Sequence, residues 1–382
     1  MNILLVSARY LPHRGGLESV VGHLATELKT KGHSVRIVTN RYPRNLKSHE
    51  VVNGVQVERM QFILPDKKYL RSGRVDLWLA GFFLQYWTKW RLSRLISSFE
   101  PDILNSHYLN EVAEITGRCL SKMNVPWVIS LHGGDVDGEP LQNEQKRDRF
   151  CRLTQQARYI TTCSANLMGQ ALLIAPKLTP KIKTIQNGVD IQRFKSVKHH
   201  QEGFSYILAL GQLVWHKGYD ILVNAFSVIA DVHPEIHLII AGEGEFRKEL
   251  ERLIAEKHLE DRISILGRVD EERAAQLMAG CLFFVMPSRR EPFGIVALEG
   301  MAAGKIVLAS PVGGVPEFLP VPPNRFVQSS VDDWSKALDA AIIGTKNGVL
   351  LGVENIREAE KHSWSAVADE YLAMYEKGIP DG

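Results

Sequence analysis

Residues 282–303 read LFFVMPSRREPFGIVALEGMAA. The run Leu282–Met286 is apolar without interruption, as a strand covered on both faces must be. Pro287–Ala303 begins with turn formers and ends with helix formers, so the unit reads strand, turn, helix. Proline suits a helix start and glycine lets other groups approach the backbone closely; Pro292–Phe293–Gly294 stands at the junction.

The same alternation extends in both directions. Within the second half, Ser205–Leu210, Ile236–Ala241, Ile263–Leu266 and Ile306–Ala309 read as strands, with helices near Tyr219–Ala230 and Phe246–Lys257. Near the start, Asn2–Ser7 is a continuous apolar run, followed by Leu17, Val20, Val21, Leu24 and Leu28 at helical spacing. Gly32 and His33 close that helix and Ser34–Thr39 is the next strand. Asp102–Ser106, Trp127–Leu131 and Tyr159–Thr162 complete the first half. Strands alternating with helices predict an α/β fold with parallel, doubly wound sheets. The alternation lapses at Lys195–Gly203, KSVKHHQEG, which reads as a linker. Two Rossmann-like domains are therefore expected, 1–195 and 196–360, facing across a cleft, with 361–382 a helix (Trp364–Glu376) returning toward the first. Ligands of such sheets sit at the carboxyl ends of the strands.

The length of 382 residues agrees with two domains, and 45% hydrophobic with 23% charged residues is ordinary for globular chains. A formal net charge of +3 decides nothing about nucleic acid, and no nucleic-acid partner is expected. Cys119, Cys151, Cys163 and Cys281 lie far apart with no CxxC pair, which fits neither a zinc site nor a disulfide framework. MNILLVSARY lacks a basic start and reads as a strand rather than a signal peptide. No uncharged apolar run approaches the roughly 20 residues of a spanning helix. A cytoplasmic location is expected.

Four strand-end turns carry the chemistry. In the first, the amides of Phe293, Gly294 and Ile295 would point outward at a helix N-terminus, a place for a diphosphate without a metal. From Gly294 to Glu299 a helix rises about 8 Å, so Glu291 and Glu299 can meet hydroxyl-rich groups at two ends of one ligand. The second turn holds Gly211, Gln212 and Lys217, the lysine a point charge within reach of the same phosphates. Gly242–Glu243–Gly244 is the third; it is no dinucleotide fingerprint, since Arg247 stands where the third glycine belongs. Gly267 and Arg268 form the fourth. Each feature has a plain reading, an acidic helix start or a solvated lysine, which their convergence on one rim outweighs.

With these motifs in place, the chain resembles the large retaining glycosyltransferase family 4, whose fold is GT-B. The matching stretches are PHRGGLESVVGHLATELKTKGHSVRIVT, ISLHGGD, IQNGVDIQRF, GQLVWHKG, AGEGE, LGRV and MPSRREPFGIVALEGMAAGKIVLASPVGGVPEFL, in order over nearly the whole chain. The resemblance implies a UDP-, GDP- or ADP-sugar donor, no cofactor and no metal. It places Glu291 on the hydroxyls of the transferred sugar and Glu299 on the ribose. Lys217 and the amides of Phe293, Gly294 and Ile295 would hold the diphosphate, Gly15 and Gly16 would approach it from the first domain, His132 would lie beside the sugar, and the backbone near Arg268 would meet the base. Transfer would go to a glycan, lipid-linked or small-molecule acceptor, with His132 positioning rather than serving as an assured base. One position departs from the family: Gln212 stands where an arginine is usual, which removes a charge-assisted contact. Lys217 would then carry more of the phosphate charge, with Arg289 or Arg290 nearby. A weakly active or non-catalytic nucleotide-sugar-binding subunit is the alternative; a nucleotide-sugar epimerase or a glycoside phosphorylase on similar paired domains is another.

Two further features invite readings. Asp135–Val136–Asp137 spells the carboxylate pair with which a different glycosyltransferase fold holds Mn²⁺ or Mg²⁺, and the complete metal-free phosphate site argues against that use. Residues 67–94 combine Lys67, Lys68, Arg71, Arg74, Lys89, Arg91 and Arg94 with Val75, Trp78, Leu79, Phe82, Phe83, Tyr86 and Trp90 at helical spacing. Such a face can rest peripherally on the anionic inner leaflet of the plasma membrane, where lipid-linked acceptors reside. The plainer expectation is that its aromatic side packs on the first domain, with the basic residues outward.

Overall fold

The computed structural model describes residues 1–13, 15–62, 74–137, 143–197, 202–348 and 352–379. The chain forms two compact units: Met1–Gln186 with Trp364–Gly382, and Asn187–Ser363. The division falls at 186/187 rather than at 195/196. Polarity marked the linker, but residues ahead of it already belong to the second unit: Val189 bridges Ser363, and Arg193 reaches Glu271 at 3.5 Å.

The first unit is built on β1 (Asn2–Ser7), β2 (Ser34–Asn40), β3 (His49–Val52), β4 (Val55–Met60), β5 (Ile103–His107), β6 (Trp127–Leu131), β7 (Tyr159–Thr162) and β8 (Ile182–Thr184). Their order is β3-β4-β2-β1-β5-β6-β7-β8. Its helices are α1 (Gly16–Thr30), α2 (Val75–Phe99), α3 (Glu111–Leu120), α4 (Glu144–Gln156), α5 (Ala165–Ile174) and the C-terminal Trp364–Gly378. β1 lies centrally, pairing in parallel with β2 on one side and β5 on the other. The buried run Ile3–Val6 confirms the logic of a strand covered on both faces.

The sheet is not wholly parallel, contrary to expectation. β3 and β4 form an antiparallel hairpin at one edge. Asn53 and Gly54 turn it, both at positive φ (49° and 76°), and Asn-Gly between strands is the standard signal for such a tight turn. The short, partly polar strand HEVV lacks the apolar run that revealed the others.

Helix α2 also departs from the plainer expectation. Gly81, Gln85, Thr88, Leu92, Ile96 and Phe99 face inward, and Thr88 Oγ1 donates to the Gln61 carbonyl at 2.6 Å. Val75, Leu79, Phe82, Phe83, Tyr86, Trp87 and Trp90 form a stripe on the exposed side; Phe83 is 70% exposed and Tyr86 72%. The aromatic face therefore does not pack on the unit. Both stripes have helical spacing, so periodicity alone could not say which one turned inward. Lys67, Lys68 and Arg71 lie outside the described residues.

The C-terminal helix joins the first unit through buried polar contacts. Asn105 Nδ2 donates to Tyr375 OH at 2.7 Å, Ser130 Oγ donates to Asn105 Oδ1 at 3.0 Å, and Thr161 Oγ1 donates to Ser130 Oγ at 2.8 Å. Lys31 pairs with Asp369 at 2.8 Å, and His23 stacks on Trp364.

The second unit holds β9 (Ser205–Leu210), β10 (Ile236–Ala241), β11 (Ile263–Gly267), β12 (Phe284–Met286), β13 (Val307–Ala309) and β14 (Arg325–Phe326). All neighbours are parallel, in the order β11-β10-β9-β12-β13-β14. Helices α6 (Ile191–Ser196), α7 (Tyr219–Ile229), α8 (Arg247–Glu256), α9 (Glu271–Gly280), α10 (Ile295–Ala302), α11 (Val331–Lys346) and α12 (Val353–Glu360) accompany it. Leu213, Leu222, Phe226, Leu238, Ile240 and Trp334 are fully buried in its core.

Tyr375→Phe removes the acceptor for the buried Asn105 amide while keeping the ring. The change is expected to cost about 1–3 kcal/mol. Urea titration of the whole chain checks this: an unchanged midpoint would show that the C-terminal helix does not depend on that contact.

Candidate active site

The strand order of the second unit is that of a doubly wound sheet, and between the parallel neighbours β9 and β12 the sequence of strands switches from one side of β9 to the other. Connections leaving the carboxyl ends of these two strands run opposite ways, and the gap between them is where such sheets take ligands. The loops after β9 and β12 carry most of the candidate residues.

After β9, Gly211 takes φ 152°, Gln212 is exposed and Leu213 is buried. A single 3-10 turn, Trp215–Lys217, ends at Gly218, whose φ of 71° lets α7 start in a new direction. A side chain at Gly218 would overlap the Pro287 carbonyl, so the two loops touch backbone to backbone there. After β12, Arg289 N–H donates to the His216 carbonyl at 2.8 Å. The Arg289 guanidinium donates to the Trp215 carbonyl (2.8 Å) and forks onto both Asp220 oxygens (2.8 and 2.7 Å) over the Trp215 ring.

These contacts set Lys217 against Glu291, Nζ to Oε2 2.5 Å, with both side chains largely buried. The two residues with separate assignments from the sequence thus form one ion pair. Arg289, by contrast, is not available as a stand-in for the missing arginine: its fork is spent on Asp220, and its role is to staple the loops. Burial and the Glu291 charge raise the pKa of Tyr219, whose hydroxyl lies under Gly211.

Helix α10 begins at Ile295, not at Pro292. Gly294 at φ 104° is its N-cap and cannot be helical, which leaves Pro292 in the loop. The first intrahelical bonds run from Ala297 and Leu298 N–H to the Gly294 carbonyl, so the amides at Phe293–Ile295 precede the ladder. The Phe293 ring is buried against Phe318. Within α10, burial pushes the Glu299 carboxyl up to about 7; nearby Arg193 opposes the shift and Glu271 adds to it.

The other two turns lie on the same edge. Gly242 (φ 154°) packs its Cα against the Gly211 carbonyl, where any side chain would overlap, and its amide donates to the Gly267 carbonyl at 2.8 Å. Arg268 is exposed beyond β11. A fifth turn, after β13, escaped the sequence reading: Gly313 (φ 58°) presses on the Glu291 carbonyl and fixes the loop that holds that carboxylate. The same signal, a glycine at a strand's carboxyl end, was present in SPVGGVPEF.

In the first unit, Gly15 caps α1 and Gly16 begins it, in the connection that follows β1. His132 follows β6, partly exposed, and His107 ends β5 beside it, Nδ1 to Nε2 3.1 Å. Asp135 accepts from the amides of Leu109 (3.0 Å), His132 (3.0 Å) and Gly133 (2.9 Å). Its oxygens thus turn inward onto the loop, and burial still raises it to about 6. Among the described residues no cluster of three or more His, Cys, Asp or Glu could hold a metal.

Comparison with known proteins identifies the family. The description "Glycosyltransferase Family 4" matches residues 14–193, and "Glycosyl transferases group 1" matches 190–357. Glycogen synthase of Mycobacterium tuberculosis is 30% identical over 340 residues, covering 83% of this chain and 80% of that protein. The chain belongs to the GT-B glycosyltransferases. The Schizosaccharomyces pombe phosphatidylinositol N-acetylglucosaminyltransferase gpi3 subunit is 25% identical over 379 residues, 97% of this glycosyltransferase and 80% of the relative. Anabaena HepE in complex with UDP-glucose superposes with a TM-score of 0.75 at 17% identity, over 98% and 99% of the two chains. No described helix of this glycosyltransferase is long and apolar enough to cross a membrane.

The raised Glu299 carboxyl generates a pH dependence. A carboxyl whose folded pKa exceeds its unfolded value contributes fully below the unfolded pKa and loses that contribution as pH rises through the folded one. For Glu299 that window runs from the ordinary 4.5 up to about 7. Glu299→Gln is therefore expected to raise Tm at pH 8 by about 2–4 °C without ligand and to change little at pH 4.5. Melting scans at both pH values check it: an equal effect at the two would contradict the assignment.

Proposed function

We propose that this glycosyltransferase moves a sugar from a UDP-, GDP- or ADP-sugar with retention and without a metal ion, and that the Lys217–Glu291 pair is the centre of its donor site. The pair carries the reading because it puts an ammonium and a carboxylate at the switch point of a doubly wound sheet, beside a helix N-terminus. An incoming diphosphate offers Lys217 a stronger partner than one carboxylate, and the amides of Phe293, Gly294 and Ile295 with the α10 dipole offer further stabilisation. Glu291, released from Lys217, then accepts hydroxyls of the transferred sugar, and Glu299 those of the ribose. Gly15, Gly16, Gly211, Gln212, Gly267 and Arg268 complete the donor contacts, and His132 belongs beside the sugar.

The chemical task is to stabilise charge on the leaving diphosphate as the anomeric bond breaks. With Gln212 neutral and Arg289 tied to Asp220, that task falls to Lys217 and the helix terminus, with Arg290 as the remaining nearby arginine. The departing phosphate oxygen can take the acceptor proton, so no protein base is needed. The engagement of Arg289 also sharpens the alternative, a nucleotide-sugar-binding subunit with weak catalysis.

Lys217→Ala separates the two. Hydrolysis or transfer with a panel of UDP-, GDP- and ADP-sugars, in the presence of EDTA, is expected to proceed in the unaltered chain and to fall about 100-fold or more in kcat in the variant. Unchanged turnover in Lys217→Ala would remove this residue from the phosphate site, and abolition by EDTA would overturn the metal-free reading.

The acceptor in this proposal is lipid-linked and is met at the cytoplasmic face of a membrane. The exposed stripe of α2, with Lys89, Arg91 and Arg94 on the same helix, offers aromatic rings for the headgroup level and cations for anionic lipid. A phosphatidylinositol N-acetylglucosaminyltransferase subunit among the relatives supports a lipid acceptor. Phe83→Asp with Trp87→Asp, both surface positions, is expected to weaken pelleting with vesicles of mixed phosphatidylglycerol and phosphatidylcholine about tenfold or more. Binding that ignores the substitutions, or no pelleting of the unaltered chain, would end the idea.

A further inference from the structure

We propose that His107 sets the tautomer of His132, so that His132 works as a neutral hydrogen-bond donor through Nδ1–H and not as an acid or base. This inference rests on the reading that His132 faces the transferred sugar, and it says what the ring can do there.

The geometry begins with two strands. β5 ends at His107 and β6 is followed by His132, and the strands are parallel neighbours. His107 Nδ1 and His132 Nε2 stand 3.1 Å apart. The ring planes differ by only 24° and the centroids lie 5.3 Å apart, so the imidazoles meet edge to edge rather than face to face. An in-plane contact of this kind is a hydrogen bond between one N–H and one lone pair, and it needs one of the two nitrogens protonated and the other bare.

Which nitrogen is protonated follows from the other side of His107. That side chain is 1% exposed, and its Nε2 is buried with no hydrogen-bond partner among the described residues. If His107 carried its proton on Nε2, a buried N–H would be left with nothing to donate to, a cost of about 1–3 kcal/mol. With the proton on Nδ1, the unpaired atom is an acceptor, which buried sites tolerate better. Nδ1–H of His107 therefore donates to His132 Nε2. That nitrogen of His132 is then an occupied acceptor, and the proton of the neutral His132 ring sits on Nδ1.

The surroundings favour neutrality for both rings. Burial and the facing imidazole push the His107 pKa well down, and burial pushes His132 down to about 4. The Asp135 carboxylate is not a hydrogen-bond partner of either ring: its oxygens accept from the amides of Leu109, His132 and Gly133. Tyr371, whose ring centroid lies 6.4 Å from that of His107, has its hydroxyl with Ser130 and Thr161. His132, partly exposed, then offers its Nδ1–H to an oxygen of the substrate. Its main chain is held by Asp135 and its side chain by His107, so His107 is a positioning residue for His132.

Two-bond ¹H–¹⁵N spectra of the uniformly labelled, full-length chain at pH 7.5 decide the tautomer, with His107→Gln and His132→Gln assigning the signals. The expected pattern for His132 is a protonated Nδ1 and a bare Nε2. A protonated Nε2 on His132 would overturn the inference. His107→Phe removes the donor and is expected to return His132 to the Nε2–H form. It should lower kcat about tenfold, the size of one lost neutral hydrogen bond, with the donor KM little changed. His107→Gln, which keeps an N–H donor, should restore both the tautomer and the rate, a recovery that loss of packing alone would not give. If His107→Phe does not fold, the spectra of the unaltered chain and of His107→Gln still decide. Wild-type turnover in His132→Ala, alongside an Nδ1–H spectrum, would overturn the placement of His132 at the sugar while leaving the tautomer as stated.

Discussion

In a parallel sheet every crossover leaves from the carboxyl end of a strand, and where neighbouring strands send their crossovers opposite ways the loops must part. In the second unit that place is fixed by β9 and β12, and two loops are held there by glycine contacts with no room for a side chain. Gly218 lies on the Pro287 carbonyl, Gly242 on the Gly211 carbonyl and Gly313 on the Glu291 carbonyl. Four of the glycines in these turns (211, 218, 242 and 313) have positive φ, so they answer a backbone requirement and a packing requirement together. The position of the Lys217 ammonium, and with it the donor chemistry proposed for this glycosyltransferase, follows from that close packing.

The ion pair at the site is a poised arrangement rather than a stabilising one. Two partly buried charges give up hydration to meet, and such pairs return little net stability. A phosphate can replace the carboxylate without leaving Lys217 unpaired, so the charge is compensated in both states. Arg289 shows the opposite use of charge. Its fork on Asp220 and its place over Trp215 hold the loop after β12 against the loop after β9, which keeps the pair in register. Substituting one basic side chain for the other in these two places would not conserve function.

The first unit is organised around the same principle with different chemistry. Its β1, β5 and β6 are central strands, and their carboxyl ends bring together the Gly15–Gly16 turn, His107 and His132. The polar contacts described there join the two imidazoles to each other and the Asp135 carboxylate to the amides of Leu109, His132 and Gly133. The C-terminal helix is bonded to this unit from behind, through Tyr375 and Asn105.

Much was legible in the amino-acid sequence. Apolar runs such as Asn2–Ser7 and Ser205–Leu210 reveal strands because burial on both faces leaves no room for polar residues, and glycines after those runs mark the turns. The resemblance to a GT-B glycosyltransferase family is carried by several motifs in order along the chain, the one from Pro287 to Ala303 among them. What periodicity cannot report is which of two stripes on a helix turns inward; α2 turns in Gly81, Gln85, Thr88, Leu92, Ile96 and Phe99 and leaves its aromatic stripe outside. Nor can it report a hairpin edge strand as short and polar as β3. The pairing of Lys217 with Glu291, the capture of Arg289 by Asp220 and the meeting of His107 with His132 were decided only by tertiary structure. Each joins residues from separate loops, and the distance between them depends on strand order, which no local pattern encodes.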